Sequence, residues 1–129
     1  MKLDCIHFAY DYREGPSLTY DLIGIFNTLT FASFPRRVVF WVYAHLHTDP
    51  DESGAPVPLT LRMTLPNEQV MEFTQMPILG EPSGKHAPTL WWAVRLDADL
   101  GSPGYYEFHV VDTEWGTVLG SKRLLVAEG

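Results

Sequence analysis

The stretch VPLTLRMTL, residues 57–65, alternates apolar and polar side chains over most of its length. Successive side chains of a β-strand point to opposite faces of the sheet, so residues two apart share a face. One side of the predicted strand therefore carries Val57, Leu59, Leu61, Met63 and Leu65, and the other carries Thr60, Arg62 and Thr64. This pattern is typical of a strand with one face in a core and the other in water.

The rest of the chain repeats this kind of pattern. Short runs of Val, Leu, Phe, Trp, Tyr and Thr are separated by Gly, Pro, Asn and Asp, and no long segment has the apolar spacing of a helix. We therefore expect an all-β protein with little or no helix, folded as a two-sheet antiparallel β-sandwich. Eight strands are predicted, at residues 3–10, 18–27, 37–47, 57–65, 69–75, 89–97, 105–112 and 117–126.

Composition and charge limit the possible partners and locations. The 129 residues are 46% hydrophobic, which predicts a single domain over residues 1–129 with a substantial core. The formal net charge of −7 disfavours binding to nucleic acid or to an anionic membrane. A single cysteine, Cys5, excludes a disulfide within the chain, and the N-terminal residues lack the apolar core of a signal peptide. We therefore expect a cytoplasmic protein.

The third predicted strand carries aromatic side chains on its non-core face. Alternation assigns Trp41 and Tyr43 to that face, and it assigns Trp91 and Tyr105 to the non-core faces of later strands. If the four share a sheet, they form an exposed patch, and aromatic residues are enriched at protein interfaces. They are our candidate binding residues for a protein partner or a second copy. Two alternatives stay open: a loop such as residues 27–35 covers the face, or the rings stack on a sugar.

The stretch DLIGIFNTLTFASFP, residues 21–35, resembles a family of short bacterial domains of unknown function. In that family a strand and an acidic or glycine-containing turn are followed by an L-x-x-I-G-I-F segment and then by F-P. In this chain I-G-I-F is residues 23–26, and Phe34–Pro35 ends the motif. The resemblance implies a compact β-sandwich and transfers no activity. The sequence gives its own reason for the motif, because Gly24 inside a strand predicts a bulge or the close approach of another group.

Two histidines and an aspartate follow one another at alternate positions near the end of the third predicted strand. His45 and His47 project from the same face of a strand, so both imidazoles can reach one divalent metal ion, and Asp49 continues the series. The alternative is that they are ordinary histidines at the rim of the sheet, because Pro50 ends the strand. If all eight strands alternate in direction, the five histidines gather at one acidic end. The candidate metal ligands are His45, His47, Asp49, His86 and His109.

Calcium is a further possibility at the same end of the sandwich. Asp49 and Asp51 of the DPDESG turn and Asp112 could supply oxygen ligands, although calcium needs six to eight of them. The alternative is a solvated turn whose Asp and Ser side chains bond to the local backbone.

The function expected from the sequence is that of a non-catalytic interaction or assembly domain with no cofactor. The chain contains no G-x-S-x-G and no phosphate-binding glycine loop, and Cys5 is expected to be a small core residue. A divalent-metal site, binding or hydrolytic, is the first alternative, and a carbohydrate-binding module is the second.

Overall fold

The structure is a computed structural model that describes residues 2–15, 20–47, 58–75, 78–79 and 89–129. Within these residues the protein forms ten strands and no helix, so no helix there is long and apolar enough to span a membrane. The strands are β1 (Lys2–Glu14), β2 (Tyr20–Phe26), β3 (Thr28–Phe31), β4 (Arg36–His47), β5 (Leu59–Thr64), β6 (Val70–Gln75), β7 (Ile78–Leu79), β8 (Thr89–Leu100), β9 (Gly104–Asp112) and β10 (Val118–Glu128).

The strands form two five-stranded sheets, which confirms the predicted all-β sandwich. The first sheet has the order β2-β1-β4-β8-β7, and the second has the order β3-β10-β9-β5-β6. Every described pair is antiparallel except β3 with β10, which is parallel. β3 and β7 were not predicted, because strands of four and two residues are too short to show alternation. β3 also corrects one alternative: the segment after β2 joins the second sheet and therefore does not cover the outer face of the first.

The inner faces of the two sheets meet in an aromatic and aliphatic core. Phe8 and Phe40 from the first sheet pack against Phe108 from the second, with ring centroids 5.0 and 6.3 Å from that of Phe108. Of the inward residues predicted for this strand, Leu59, Leu61 and Met63 are buried, Leu65 is partly buried, and Val57 lies outside the described residues. Thr60, expected to face water, is buried as well, and its hydroxyl lies 2.7 Å from the hydroxyl of Thr113.

Gly24 confirms the expected close approach inside β2. Its φ of +67° is a left-handed conformation that side chains rarely adopt, and a Cβ atom there would lie 2.7 Å from Cδ2 of Tyr10. The Tyr10 ring rests over this glycine and also contacts the Phe26 ring, with centroids 4.8 Å apart. The glycine therefore fixes how the edge strand β2 packs on β1.

A lysine from the second sheet covers the open edge of the first half of β1. β2 pairs with β1 only from Phe8 onward, so one side of the earlier residues has no strand partner in the described part of the chain. Lys122 of β10 donates a hydrogen bond from Nζ to the Ile6 carbonyl oxygen at 3.1 Å, and Nζ lies 5.4 Å from the centre of the Phe8 ring. A lysine at an open strand edge satisfies a backbone group and blocks further strand pairing.

Candidate functional site

The outer face of the first sheet is less exposed than the sequence suggested. On this face, Tyr43 of β4 pairs with His7 of β1 on one side and with Ala93 of β8 on the other. Trp41 pairs in the same way with Ala9 and with Arg95. Tyr43 is only 3% exposed, and Trp41 is half-buried. A ring that is 3% exposed cannot stack on a sugar. Tyr43 is therefore excluded from the set of rings that were predicted to bind a carbohydrate.

The four candidate aromatic residues do not form one patch. Trp41 and Tyr43 lie on β4 in the first sheet, whereas Tyr105 lies on β9 in the second sheet, 58% exposed and beneath the Arg123 guanidinium. The outer faces of two stacked sheets point in opposite directions, so these rings are on opposite surfaces. Trp91 pairs through its backbone with His45, but its side chain lies outside the described part. Binding of a partner by these residues stays a prediction, without a shared patch to support it.

His45 and His47 share a face as predicted, and they are joined by a residue that the sequence did not indicate. The pairing of β1 with β4 shifts register between Leu3 and Cys5, so Asp4 is an extra residue in β1. The Asp4 carboxylate accepts from both imidazoles: Oδ2 lies 3.0 Å from Nδ1 of His45, and Oδ1 lies 2.9 Å from Nδ1 of His47. Alternation cannot foresee this contact, because a bulge interrupts the alternation of side chains.

The predicted gathering of the histidines at one end does not bring His109 next to His45. His109 lies on the outer face of the second sheet, where its Nε2 is 3.3 Å from Oε1 of Glu107 and its backbone pairs with Arg62 of β5. It therefore lies on the surface opposite to His45. Counting strand directions placed all five at one end, but it did not consider which side of the sandwich each side chain occupies.

The predicted metal site is only partly within the described structure. Asp49, Asp51 and His86 lie outside the described residues. Within those residues, no group of three His, Cys, Asp or Glu side chains is arranged to hold a metal ion. The remaining calcium candidate, Asp112, accepts through Oδ1 from the backbone N–H of Glu114 at 3.0 Å, which is the local turn bonding expected of an aspartate. Metal binding stays a prediction.

Cys5 lies beside His45 on the same face, but its thiol is poorly suited to nucleophilic attack. Burial is the main cause that raises the pKa of Cys5, and the Asp4 carboxylate raises it further, while a hydrogen bond with the His45 backbone and the charge of Lys122 oppose the change. The thiolate is the reactive form of cysteine, and a raised pKa makes it scarcer at neutral pH. Cys5 therefore gives no support to a catalytic site.

The edge strand β2 exposes two large apolar side chains on the first sheet. Ile23 is 42% exposed and Ile25 is 54% exposed, and Asp21 is the one charged residue in the strand. Ile25 pairs with Ala9, which pairs in turn with Trp41, so the isoleucine continues an apolar row across the outer face. In the described part of the chain, no strand pairs with the outer side of β2.

We expect Asp4→Asn to lower the free energy of unfolding by about 1 kcal/mol, because an amide offers one acceptor oxygen to two imidazole donors. The value is below the roughly 1.5–3 kcal/mol of hydrogen bonds to charged groups, because Asp4 is 39% exposed and water screens its charge. Urea denaturation of both proteins would measure the difference. Asp99→Asn, at an exposed carboxylate on β8, is the matched control and is expected to be nearly neutral. Equal losses for the two variants would contradict a stabilising role for the Asp4 contacts.

Comparisons with known proteins gave no match: no protein-family model, no curated protein and no solved structure matches this chain. The resemblance of residues 21–35 to short bacterial domains therefore stays a prediction.

Proposed function

We propose that this protein is a non-catalytic assembly domain in which the edge of β2 that has no strand partner in the described residues pairs with the same edge of a second copy. The observation that carries the proposal is the exposed, apolar edge strand with Ile23 and Ile25. An open strand edge presents unpaired N–H and C=O groups, and pairing with another strand satisfies them. Such pairing joins two five-stranded sheets into one continuous sheet of ten.

The side chains of β2 lack the features that usually prevent edge pairing. Proteins protect exposed edges with lysine, proline or inward-pointing charges, as Lys122 does beside the open half of β1. From Tyr20 to Phe26, β2 has neither lysine nor proline, and its one charge, Asp21, lies near the beginning of the strand. The centre of the strand is therefore free of charge and can approach another strand.

A two-fold antiparallel arrangement suits the order of residues in β2. With the axis at Gly24, Ile23 of one copy lies opposite Ile25 of the other, and Asp21 lies opposite Asn27. The two Asp21 carboxylates therefore do not face each other. Apolar cross-strand pairs stabilise antiparallel strands by about 0.2–1 kcal/mol each, and the arrangement repeats the Ile23–Ile25 pair on both sides of the axis.

We expect Ile25→Lys to convert the dimer to a monomer, because the new ammonium would replace an apolar side chain at the centre of the interface. Sedimentation velocity over a range of protein concentrations would measure the association. The matched control is Val70→Lys on β6, an edge strand of the second sheet whose Val70 is exposed to a similar extent, and we expect it to remain dimeric. A wild-type chain that stays monomeric at the highest concentration would refute the proposal.

A further inference from the structure

β1 and β4 separate part-way along the first sheet. Their pairing runs from Lys2 opposite His47 to Ala9 opposite Trp41, and beyond Ala9 the described pairing of β1 is with β2 alone. β4 continues to pair with β8 on its other side as far as Arg36. The segment from Arg36 to Phe40 therefore has one side that faces an opening, with no strand beside it in the described residues.

A cavity of about 250 Å³ occupies this opening. Its apolar surface includes the buried side chains Leu29, Val38 and Phe40, and the rings of Tyr10 and Phe31 also line it. An apolar cavity of roughly 150 Å³ is large enough to bind benzene. The opening therefore has room for one ring and a few further atoms, and its lining is suited to an apolar group.

The polar side of the cavity is cationic. It is lined by Arg36 and Arg37, and no acidic residue is among its described lining. Arg37 is already neutralised, because its Nε and Nη2 donate to the two carboxylate oxygens of Asp97 at 2.8 and 2.6 Å. Arg36 makes no ion pair within the described residues, and its guanidinium lies 5.4 Å from the centre of the Phe31 ring. Among the described residues, Arg36 is thus a cation without an acidic partner beside an apolar pocket, in a protein of net charge −7.

We infer that this cavity binds a small organic carboxylate, with its apolar body on Leu29, Val38 and Phe40 and its carboxylate on the Arg36 guanidinium. Arginine presents several N–H donors in a plane that matches a carboxylate, and such charge-assisted bonds are stronger than neutral ones. Ligand sites commonly combine an apolar lining with a few polar groups that set specificity. This inference does not depend on the pairing of β2, since it concerns the opening between β1 and β4.

The experiment is a titration of the full chain with phenylacetate, followed by amide NMR shifts. Phenylacetamide, which has nearly the same shape and no charge, is the comparison ligand. We expect phenylacetate to shift the amides of β3 and of residues 36–40, and to bind about tenfold more tightly than the amide, as one charge-assisted hydrogen bond predicts. We expect Arg36→Gln to weaken the binding of phenylacetate about tenfold and to leave the affinity for phenylacetamide unchanged.

Arg123→Gln is the matched control variant. The Arg123 guanidinium also lies over an aromatic ring, 5.6 Å from the centre of Tyr105, but on the outer face of the second sheet and away from the cavity. We expect this variant to bind phenylacetate as the wild type does. The inference is overturned if phenylacetate shifts no cavity residue, if both ligands bind equally, or if the two arginine variants lose the same affinity.

Discussion

Replacing Phe8 by alanine is expected to lower the free energy of unfolding by about 3–5 kcal/mol. Phe8 is fully buried, and its ring contacts three other rings, those of Phe26, Phe40 and Phe108, with centroids 6.2, 6.0 and 5.0 Å away. The last of these belongs to the opposite sheet, so the truncation leaves a cavity where the two sheets meet. Small domains have a total stability of about 5–15 kcal/mol, so the loss is a large part of it.

Urea denaturation followed by tryptophan fluorescence would measure this loss. Tyr105→Ala is the matched control, because it also removes an aromatic ring but from a position that is 58% exposed. A surface substitution of this kind is expected to change the stability by less than about 1 kcal/mol. If the Phe8 and Tyr105 variants were equally stable, Phe8 would not be a central contact between the sheets.

Replacing Gly24 by valine is expected to cost at least about 2 kcal/mol of folding stability. A left-handed backbone conformation costs a side-chain-bearing residue about 1–2 kcal/mol, and the overpacking of a close contact adds about 1–3 kcal/mol. Both effects apply here, since φ is +67° and the new Cβ would lie 2.7 Å from Cδ2 of Tyr10. Tyr10 also lines the cavity beside Arg36, so its displacement is expected to weaken phenylacetate binding as well.

The control for this substitution is Gly101→Val in the connection between β8 and β9. A Cβ at Gly101 would meet no atom within 4 Å, and its φ is outside the left-handed range. We expect this variant to unfold at nearly the wild-type urea concentration, and the Gly24 variant to unfold clearly earlier. Coincident unfolding curves for the two variants would show that Gly24 is neither strained nor crowded.

Much of the fold was predictable because alternation is a local property of the sequence. The strand predicted at residues 57–65 is β5, and Leu59, Leu61 and Met63 are buried as the pattern indicated. The inward positions of β8 that the structure describes, such as Trp92, are buried for the same reason. The two missed strands, β3 and β7, have too few residues for a pattern, and they exist because neighbouring strands offer them an edge.

Less of the candidate site was predictable, because it depends on contacts between distant segments. The shared face of His45 and His47 followed from their spacing, but Asp4 reached them only through a register shift in β1. The sequence gives no reason to single out Arg36, which is one of two adjacent arginines. Its cavity arises from the separation of β1 and β4 after Ala9, which leaves no mark in the sequence of either strand.

By itself, the sequence determined which side chains turn inward in the regular strand segments, because neighbouring residues of a strand without a bulge lie on opposite faces. It also indicated the special position of Gly24, since a glycine inside a strand has few other uses. Only the tertiary structure decided which strands share a sheet. It placed Trp41 and Tyr105 on opposite surfaces, and in the described part of the chain it left β2 as an open edge. These features depend on pairing between segments far apart in the chain, and the side-chain pattern of one strand does not specify its neighbour.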